Sequence, residues 1–491
     1  MTRYLLSIGG AGHRTLASAV FLAAAGAFGR DDIRILCVDN DATNGNLNHT
    51  LQLIDLYAKI RGADRWLGDT PLFAPALALV DRKPWVPTLE DGATTMDSYF
   101  QHQRMKQSNE TMTAVYEFLY DPAKRSMSVT EGFRARPSVG AAVYRAASRQ
   151  VLGEGDALRR FREGLIGEAA TGEQARLFAI GSIFGGTGAA GLPTLPANII
   201  DEMRQHHESV VCGGAFLLPY FKFKAEELDN EGAHANPDDF ILMMKDALEY
   251  YQRHPGRYDR VYVIGADEWR EQPKAAVGRE DQRNPANLVE FLAAVAASNY
   301  YETWVPPEQQ ENGRTPTIAI LHRGGARQFT WSDLPESGRL KPLLGRLTRF
   351  SFLYLAKFHK LLESAPRDKS IRNQTWFRHH IEGAGVRVND PAFAEQIEHL
   401  QRFCRLLLLW WDEIHQPGGI EAQLVNTYGF RDDRFPASNY SSLMREPHGT
   451  GRNMDDALRA VGQAPMEEGH GIAGLGAFVN ALYKVVSSEA R

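Results

Sequence analysis

Cysteine is scarce in this chain: Cys37, Cys212 and Cys404 are the three in 491 residues. Each sits among apolar neighbours and far from the other two. That arrangement gives neither a disulfide framework nor zinc spacing, and it reads as core cysteines in a reducing compartment. Long apolar runs are also lacking. The most apolar late stretch, Leu406 to Trp411, falls far short of the roughly 20 residues a bilayer span requires. No charge of one sign dominates, since the net charge is −5 and the pI about 6.3. This removes the electrostatic reason to expect nucleic-acid binding. The basic clusters Arg159-Arg160-Phe161-Arg162 and Arg378-His379-His380 read as solvated helix faces. His206-His207, His379-His380 and His470 lack ligand spacing with Cys or Glu and read as surface histidines. The chain opens on a strand-like run, Tyr4 to Ile8, without a charged leader. A cytoplasmic protein with no membrane span is therefore expected.

What the chain does have is glycine in particular places. Gly181-Ser-Ile-Phe-Gly-Gly-Thr-Gly-Ala-Ala-Gly191 follows the apolar run Leu177 to Ile180 and leads into a helix-compatible segment, Leu192 to Met203. Glycines at that spacing let successive backbone N–H groups turn toward one point, and a phosphate is the ligand such a concavity holds best. No Gly-Lys-Ser/Thr follows, so this is not the Walker loop.

Strand-like and helix-like segments alternate over the first 300 residues, as a parallel sheet with crossover helices requires. Tyr4–Ile8 and the almost wholly apolar Ile33–Val38 are expected strands, with a helix over Thr15–Phe28 between them. Further strands are expected at Leu177–Ile180, Val210–Leu218 and Arg260–Ile264, and helices at Val139–Leu152 and Phe240–His254. Residues 50–125, with helices over Leu51–Arg61 and Met96–Tyr120 around a Pro-rich stretch, read as an insertion. A long helix is expected over Pro285–Tyr301 with Asn284 as its cap. Thr317–Leu321 and Gln328–Trp331 suggest a short hairpin. Beyond it the chain turns helical over Leu340–Leu362, Pro391–His415 and Ile472–Ser487, with a loop from about Arg431 to Gly471. The size fits two or three domains, drawn as 1–305, an α/β nucleotide-binding domain with the insertion at about 50–125, and 306–491, a mainly α-helical domain. Trp410, Trp411 and the leucines beside them fit a buried helix face better than a partner groove.

Loops after the strands of a parallel sheet collect at one edge, where ligands bind. Gly9-Gly10-Ala11-Gly12 reads as a phosphate loop or a tight turn. Asp39-Asn40-Asp41-Ala42-Thr43 can hold Mg²⁺ through water, bond a ribose, or cap a helix. In the segment Gly132 to Gly140, Ser138 can cap a helix, while Arg134 or Arg136 can pair with a terminal phosphate.

Taken in order, these loops resemble those of the tubulin and FtsZ superfamily. Gly9-Gly10-Ala11-Gly12 is similar to its GGAGGN loop, and Asp39 to Thr43 to its NTDAQ-like loop. Ala135 to Gly140 is similar to the second half of its γ-phosphate loop, and Gly185-Gly186-Thr187-Gly188 to its GGTGSG signature. Leu218-Pro219-Tyr220-Phe221 looks like its PF.FE-like loop. Ala286-Asn287-Leu288 resembles the start of its central helix. The resemblance covers roughly the first 300 residues. It implies a Rossmann-like α/β domain with a parallel sheet that binds GTP or GDP with Mg²⁺. It would do so through Gly9, Gly10, Ala11, Gly12, His13, Arg14, Asp39, Asp41, Arg136, Gly185, Gly186, Thr187, Gly188 and Pro219, with Asp41 toward the metal and Asn287 reading the base. It further implies head-to-tail self-association, in which an acidic residue of one subunit completes hydrolysis in the next. Asp333, in Gln328-Phe-Thr-Trp-Ser-Asp333-Leu334, stands at the second acidic position of that pattern and Thr330 at the first. Asp333 reads more readily as a helix cap before Leu334-Pro335 than as a catalytic acid.

Several positions depart from the family. Arg14 stands where an Asn usually contacts the nucleoside, and Arg136 replaces an Asn of the γ-phosphate loop. The helical region after residue 340 replaces a β-rich domain. Two functions follow: a nucleotide-controlled assembling protein with weak GTP hydrolysis, or a non-polymerising switch that organises an unidentified protein partner. A dinucleotide-dependent oxidoreductase would need Gly10-x-Gly12 to be followed by a third glycine, and Thr15 stands there.

Overall fold

The computed structural model describes residues 2–62, 70–87, 94–130, 132–133, 135–149, 153–172, 174–205, 210–223, 237–254, 257–272, 283–306, 317–321, 328–418, 420–445, 453–465 and 475–488. Its centre is a seven-stranded sheet whose neighbouring strands all pair in parallel. The strands are β1 (Arg3–Ile8), β2 (Ile33–Val38), β3 (Leu77–Leu79), β4 (Ala175–Ser182), β5 (Val210–Leu217), β7 (Arg260–Ile264) and β9 (Thr317–Leu321). They lie in the order β3-β2-β1-β4-β5-β7-β9. The near-continuous apolar character of β1, β4 and β5 follows from burial on both faces. Two small parallel pairs flank the sheet: β6 (Phe221–Phe223) with β8 (Arg270–Gln272), and β10 (Gln328–Phe329) with β11 (Glu421–Ala422).

One face of the sheet is covered by α1 (Gly9–Ala24), α2 (Gly45–Arg61) and, further along the chain, the central helix described below. The other face carries α3 (Pro137–Arg149), α4 (Ala157–Ala170), the short α5 (Thr187–Gly191), α6 (Leu195–Gln205) and α7 (Pro237–Arg253). The central helix, α8 (Leu288–Glu302), is apolar nearly all round and buried nearly all round. Against α1, α2 and α8 lie α9 (Ser337–Leu353) and α10 (Pro391–Ile414) of the later chain, with α11 (Met454–Gln463) packed on α12 (Gly476–Ser488) and α12 on α9. Their apolar side chains join the core of that sheet face. Phe21 meets Phe403 and Trp410 at ring-centre distances of 5.5 and 5.1 Å, and Phe291 meets both Trp410 and Trp411 at 5.7 Å. The tryptophan pair is thus core, with Trp410 Nε1 donating to Ser18 Oγ and Trp411 Nε1 to Thr348 Oγ1.

The architecture corrects several expectations. Thr317–Leu321 does not form a hairpin with Gln328–Trp331. It completes the main sheet beside β7, while Gln328–Phe329 pairs with residues near 421. A strand of the sheet therefore lies beyond the boundary drawn at residue 305. The Pro-rich part of the 50–125 segment supplies the edge strand β3, whose three residues are too few to show periodicity. The helix expected over Met96–Tyr120 is broken into Met96–Tyr99, His102–Ser108 and Glu110–Leu119. Gln101 adopts a left-handed φ of 49° at one break, and Asn109 is extended at the other, where its side chain caps the next helix. The central helix starts three residues later than expected. Asn287 rather than Asn284 is its cap, because Glu290 closes a capping box on Asn287. The loop expected from Arg431 onward contains α11 and a short helix, Ala437–Ser441.

Candidate functional site

Strand order reverses between β1 and β4: β2 and β3 follow on one side, β5, β7 and β9 on the other. An open parallel sheet has its crevice at such a switch point, outside the carboxyl ends of the strands. The two loops leaving β1 and β4 are the glycine-rich ones. Gly9 has φ +69°, and a Cβ there would meet Gly188 N at 3.1 Å and Thr187 Cβ at 3.2 Å. Only glycine lets these loops touch. A Cβ on Gly12 would strike the Ile180 carbonyl at 2.7 Å, so α1 starts directly against β4. The third loop closes on the same place. A Cβ on Gly186 would lie 3.1 Å from the carbonyl carbon of Phe133 and 3.2 Å from Ala135 N, and Ala135 itself has φ 59°. Gly185, by contrast, has φ +86° and open space where its Cβ would be.

Helix α1 begins at this crevice with Ile8 as its cap, which offers no side-chain acceptor, and no acidic residue occupies its first turn. Gly10 and Ala11 are half-buried rather than sealed. The N-terminal donors of a 16-residue helix thus face the crevice with no side-chain acceptor from the cap. These features fit a phosphate: a cradle of backbone donors that added Cβ atoms would fill.

The second loop is shaped by its own hydrogen bonds. Asp39 Oδ1 accepts from Asp41 N at 3.1 Å, and Asp41 Oδ1 accepts from Thr43 N at 3.0 Å and Thr43 Oγ1 at 2.7 Å. Asn40 donates to the Val129 carbonyl at 2.6 Å and accepts from Tyr144 OH at 2.7 Å, tying this loop to α3. Asn44, not Asp41, caps α2. Among the described residues no group of three or more His, Cys, Asp or Glu side chains gathers as a metal site. Asp39 and Asp41 suit Mg²⁺ only in the manner of nucleotide sites, where one or two carboxylates act with phosphates and water.

Other expected site residues face elsewhere. His13 is fully buried beneath the crevice. Its Nδ1 is 2.9 Å from Ser7 Oγ, and its Nε2 lies 3.4 Å from Asp39 Oδ2 without hydrogen-bond geometry. Arg14 turns toward the central helix. Its Nε donates to Glu290 Oε1 at 2.5 Å, its Nη2 to Tyr220 OH at 2.7 Å, and Tyr220 OH donates to Glu290 Oε1 at 2.6 Å. Burial alone would lower the Arg14 pKa, but Glu290 and Tyr220 outweigh it and raise it, while burial raises that of Tyr220. Pro219 is buried just before this network. Arg136 is half-buried at the start of α3, where its charge helps hold the Asp121 carboxyl low, behind the hydrogen bonds from Lys124. Arg134 lies outside the described residues, as do His206, His207 and His470. Of the other expected surface histidines, His380 is buried and bonded to the Val461 carbonyl.

Beside Gly10 opens a small cleft lined by Arg14, Asn46, His49, Asn284, Trp410 and Glu413, among others, with a water-accessible core of about 50 Å³. A Cβ on Gly10 would lie 3.8 Å from both Arg14 Nη1 and Asn46 Nδ2, so the glycine loop forms the cleft's border. Asn287 stands close by in sequence, its Oδ1 accepting from Val289 N at 2.9 Å. Sequence reasoning missed Asn46, His49 and Glu413, because nothing in their local pattern marks them. α2 and α10 bring them together across about 360 residues of chain, a packing consequence with no short-range signal.

Asp333 is remote in role from these loops. Its Oδ2 accepts from Thr330 N and Thr330 Oγ1, both at 2.8 Å, closing a capping box on the turn Trp331–Asp333. Three residues on, Glu336 bonds Thr303 Oγ1 at 2.7 Å, beside the end of α8. That end of α8 also meets Arg3 at the start of β1 through Glu302. It belongs to the sheet edge opposite the glycine crevice. No helix among the described residues is long and apolar enough to cross a membrane. In comparisons with known proteins, no family model and no curated protein matches the chain.

Proposed function

We propose that this chain is a tubulin- and FtsZ-like protein that binds GTP with Mg²⁺ and self-assembles head to tail under nucleotide control, with at most weak hydrolysis. The observation that carries the reading is the meeting of three segments at the switch point of a parallel sheet: Gly9–Gly12 at the start of α1, Phe133 and Ala135 ahead of α3, and Gly185–Gly188. In this reading the phosphates rest on the donors of α1 and the signature loop, Asp39 and Asp41 lie toward the metal, and the base extends toward the cleft beside Gly10. The opposite-edge position of the Asp333 segment supports the head-to-tail part, since a stacked copy would bring that edge to the crevice of the next subunit. Sedimentation of the full chain with GTP, GDP and a slowly hydrolysed analogue tests it. Large species that form with GTP and the analogue and disperse with GDP support assembly control; monomers throughout contradict it.

One observation favours the second reading, a non-polymerising switch acting on a protein partner. The Asp333 carboxylate is already used as a cap by Thr330, and a carboxylate so engaged is poorly placed to orient water. Nucleotide binding without assembly in the same experiment selects that reading.

A further inference from the structure

Glu413 ends the long helix α10 and lines the cleft beside Gly10. One of its oxygens is committed: Oε2 accepts from Ala286 N at 2.9 Å. Ala286 is held from its other side as well, because its carbonyl accepts from Arg270 Nη1, also at 2.9 Å. The same guanidinium donates to the carbonyls of Glu413, Ile414, Gln416 and Gly418, so the end of α10 and the approach to α8 are fastened as one unit. Glu413 Oε1 makes no hydrogen bond among the described residues. The other amides at the cleft are engaged with each other: Asn46 Oδ1 accepts from Asn284 N at 2.9 Å, and Asn46 Nδ2 donates to Asn284 Oδ1 at 3.3 Å. The cleft thus offers a fixed anionic acceptor beside apolar walls that include Phe21 and Trp410.

A flat ring edge carrying adjacent N–H donors complements that acceptor. Guanine has them, N1–H next to the N2 amino group. Adenine presents its N1 lone pair there, which an anionic carboxylate repels. We infer that Glu413, supplied by the helical region rather than by the glycine loops, is the residue that selects guanine over adenine. This rests on the nucleotide-binding reading above. Burial raises the Glu413 carboxyl pKa, and the bond from Ala286 N with the charge of Arg283, which also lines the cleft, acts in the other direction and favours the carboxylate. In Glu413→Gln the amide oxygen can keep the bond from Ala286 N, which leaves its NH₂ facing the cleft. The local demand is then inverted from acceptor to donor, matching the C2 carbonyl of xanthine.

The test is calorimetric titration of the full chain with GTP, ITP, XTP and ATP, each with Mg²⁺, for wild type and Glu413→Gln. Expected for wild type is the order GTP, then ITP (which lacks the 2-amino group), then ATP, with GTP over ATP by roughly 10- to 100-fold. Glu413→Gln is expected to lose a similar factor for GTP and to gain for XTP. Equal wild-type affinity for GTP and ATP, or an unchanged GTP preference in Glu413→Gln, overturns the role of Glu413 while leaving nucleotide binding intact. Failure of wild type to bind any of the four overturns the nucleotide-binding reading and this assignment together. Should Glu413→Gln fail to fold, Glu413→Asp, which keeps the charge but draws it back by one methylene, takes its place in the same titrations; a lowered GTP-over-ATP ratio supports the role and an unchanged one overturns it.

Discussion

Arg14 and Glu290 are the clearest case of a residue whose surroundings decide its part. Arg14 is 8% exposed and Glu290 1%, and each satisfies the other together with Tyr220. Truncating one partner of a buried pair leaves the other charge uncompensated, a loss of about 3–5 kcal/mol. Glu290→Ala is expected to lose that much, because it also opens the capping box on Asn287; Glu290→Gln should lose less. Denaturant midpoints of the two variants at fixed slope check this, and near-wild-type midpoints for both would refute it. Gly9→Ala is a second residue-scale prediction. Its φ of +69° and the 3.1 Å approach to Gly188 N leave no relaxed position for a methyl group. The variant should lose roughly 1–3 kcal/mol and bind nucleotide more weakly, measured by thermal melting with and without GTP. From the sequence, Gly9, Gly12, Gly186 and Gly188 were legible as loop glycines, because close backbone approach has a residue signature. The direction of Arg14 was not, since a long cation beside a phosphate loop and one buried against a distant Glu look the same along the chain.

At the scale of elements, strands and helices with many apolar residues in order, such as β1, β4, β5 and α10, read correctly from pattern alone. The misread pieces were β3 and β9, edge strands whose pairing is decided by distant neighbours, and the helix break at Gln101 and Asn109, where no proline or glycine announces it. Two elements carry histidines whose burial gives the fold a pH dependence. On α2, burial, followed by Arg283 and Arg402, lowers the His49 pKa to about 4. Just past α10, burial first and Arg445 among the rest lower that of His415 to about 4, against a raising hydrogen bond to the Trp411 carbonyl. Its Nε2 accepts from Leu424 N and Val425 N, both at 3.0 Å, which fixes the neutral ring. Unfolded, both histidines titrate near 6.5, so between about pH 6.5 and 4 the unfolded chain binds more protons. Stability therefore falls as pH is lowered through that window, by about 1.4 kcal/mol per pH unit for each histidine. Unfolding free energies at pH 5 and pH 7 test this, and His415→Gln should reduce the slope by roughly half of the two-histidine value. A flat profile would contradict the burial argument.

For the molecule as a whole, the helical later half shares its core with α1 and α8, and Arg270 and Glu413 fasten it to the segment that enters α8. Occupancy of the crevice is thus mechanically close to the helical region, which suits a nucleotide-controlled surface. Trp411 is fully buried where α8, α9 and α10 meet. Trp411→Ala is expected to cost about 3–5 kcal/mol and to lower the melting of sheet and helical region together, seen as one coincident transition by far-UV and tryptophan signals. Two separate transitions would show independent cores. At this scale the sequence revealed loop order and an α/β sheet, but not that the later helices complete the cleft, because that depends on packing between segments far apart.

Whether the glycine crevice binds a nucleoside triphosphate, as proposed, is probed most sharply at Gly10. A side chain there meets only ordinary 3.8 Å contacts, and an acidic residue in the first turn of a helix favours the helix dipole. Gly10→Glu should therefore fold as well as wild type while setting a negative charge against the phosphates. The measurement is calorimetric titration of both proteins with GTP and Mg²⁺. Expected is saturable one-to-one binding by wild type that is lost in Gly10→Glu with melting temperature preserved; no binding by wild type, or unchanged binding by Gly10→Glu, refutes a nucleotide site in the crevice.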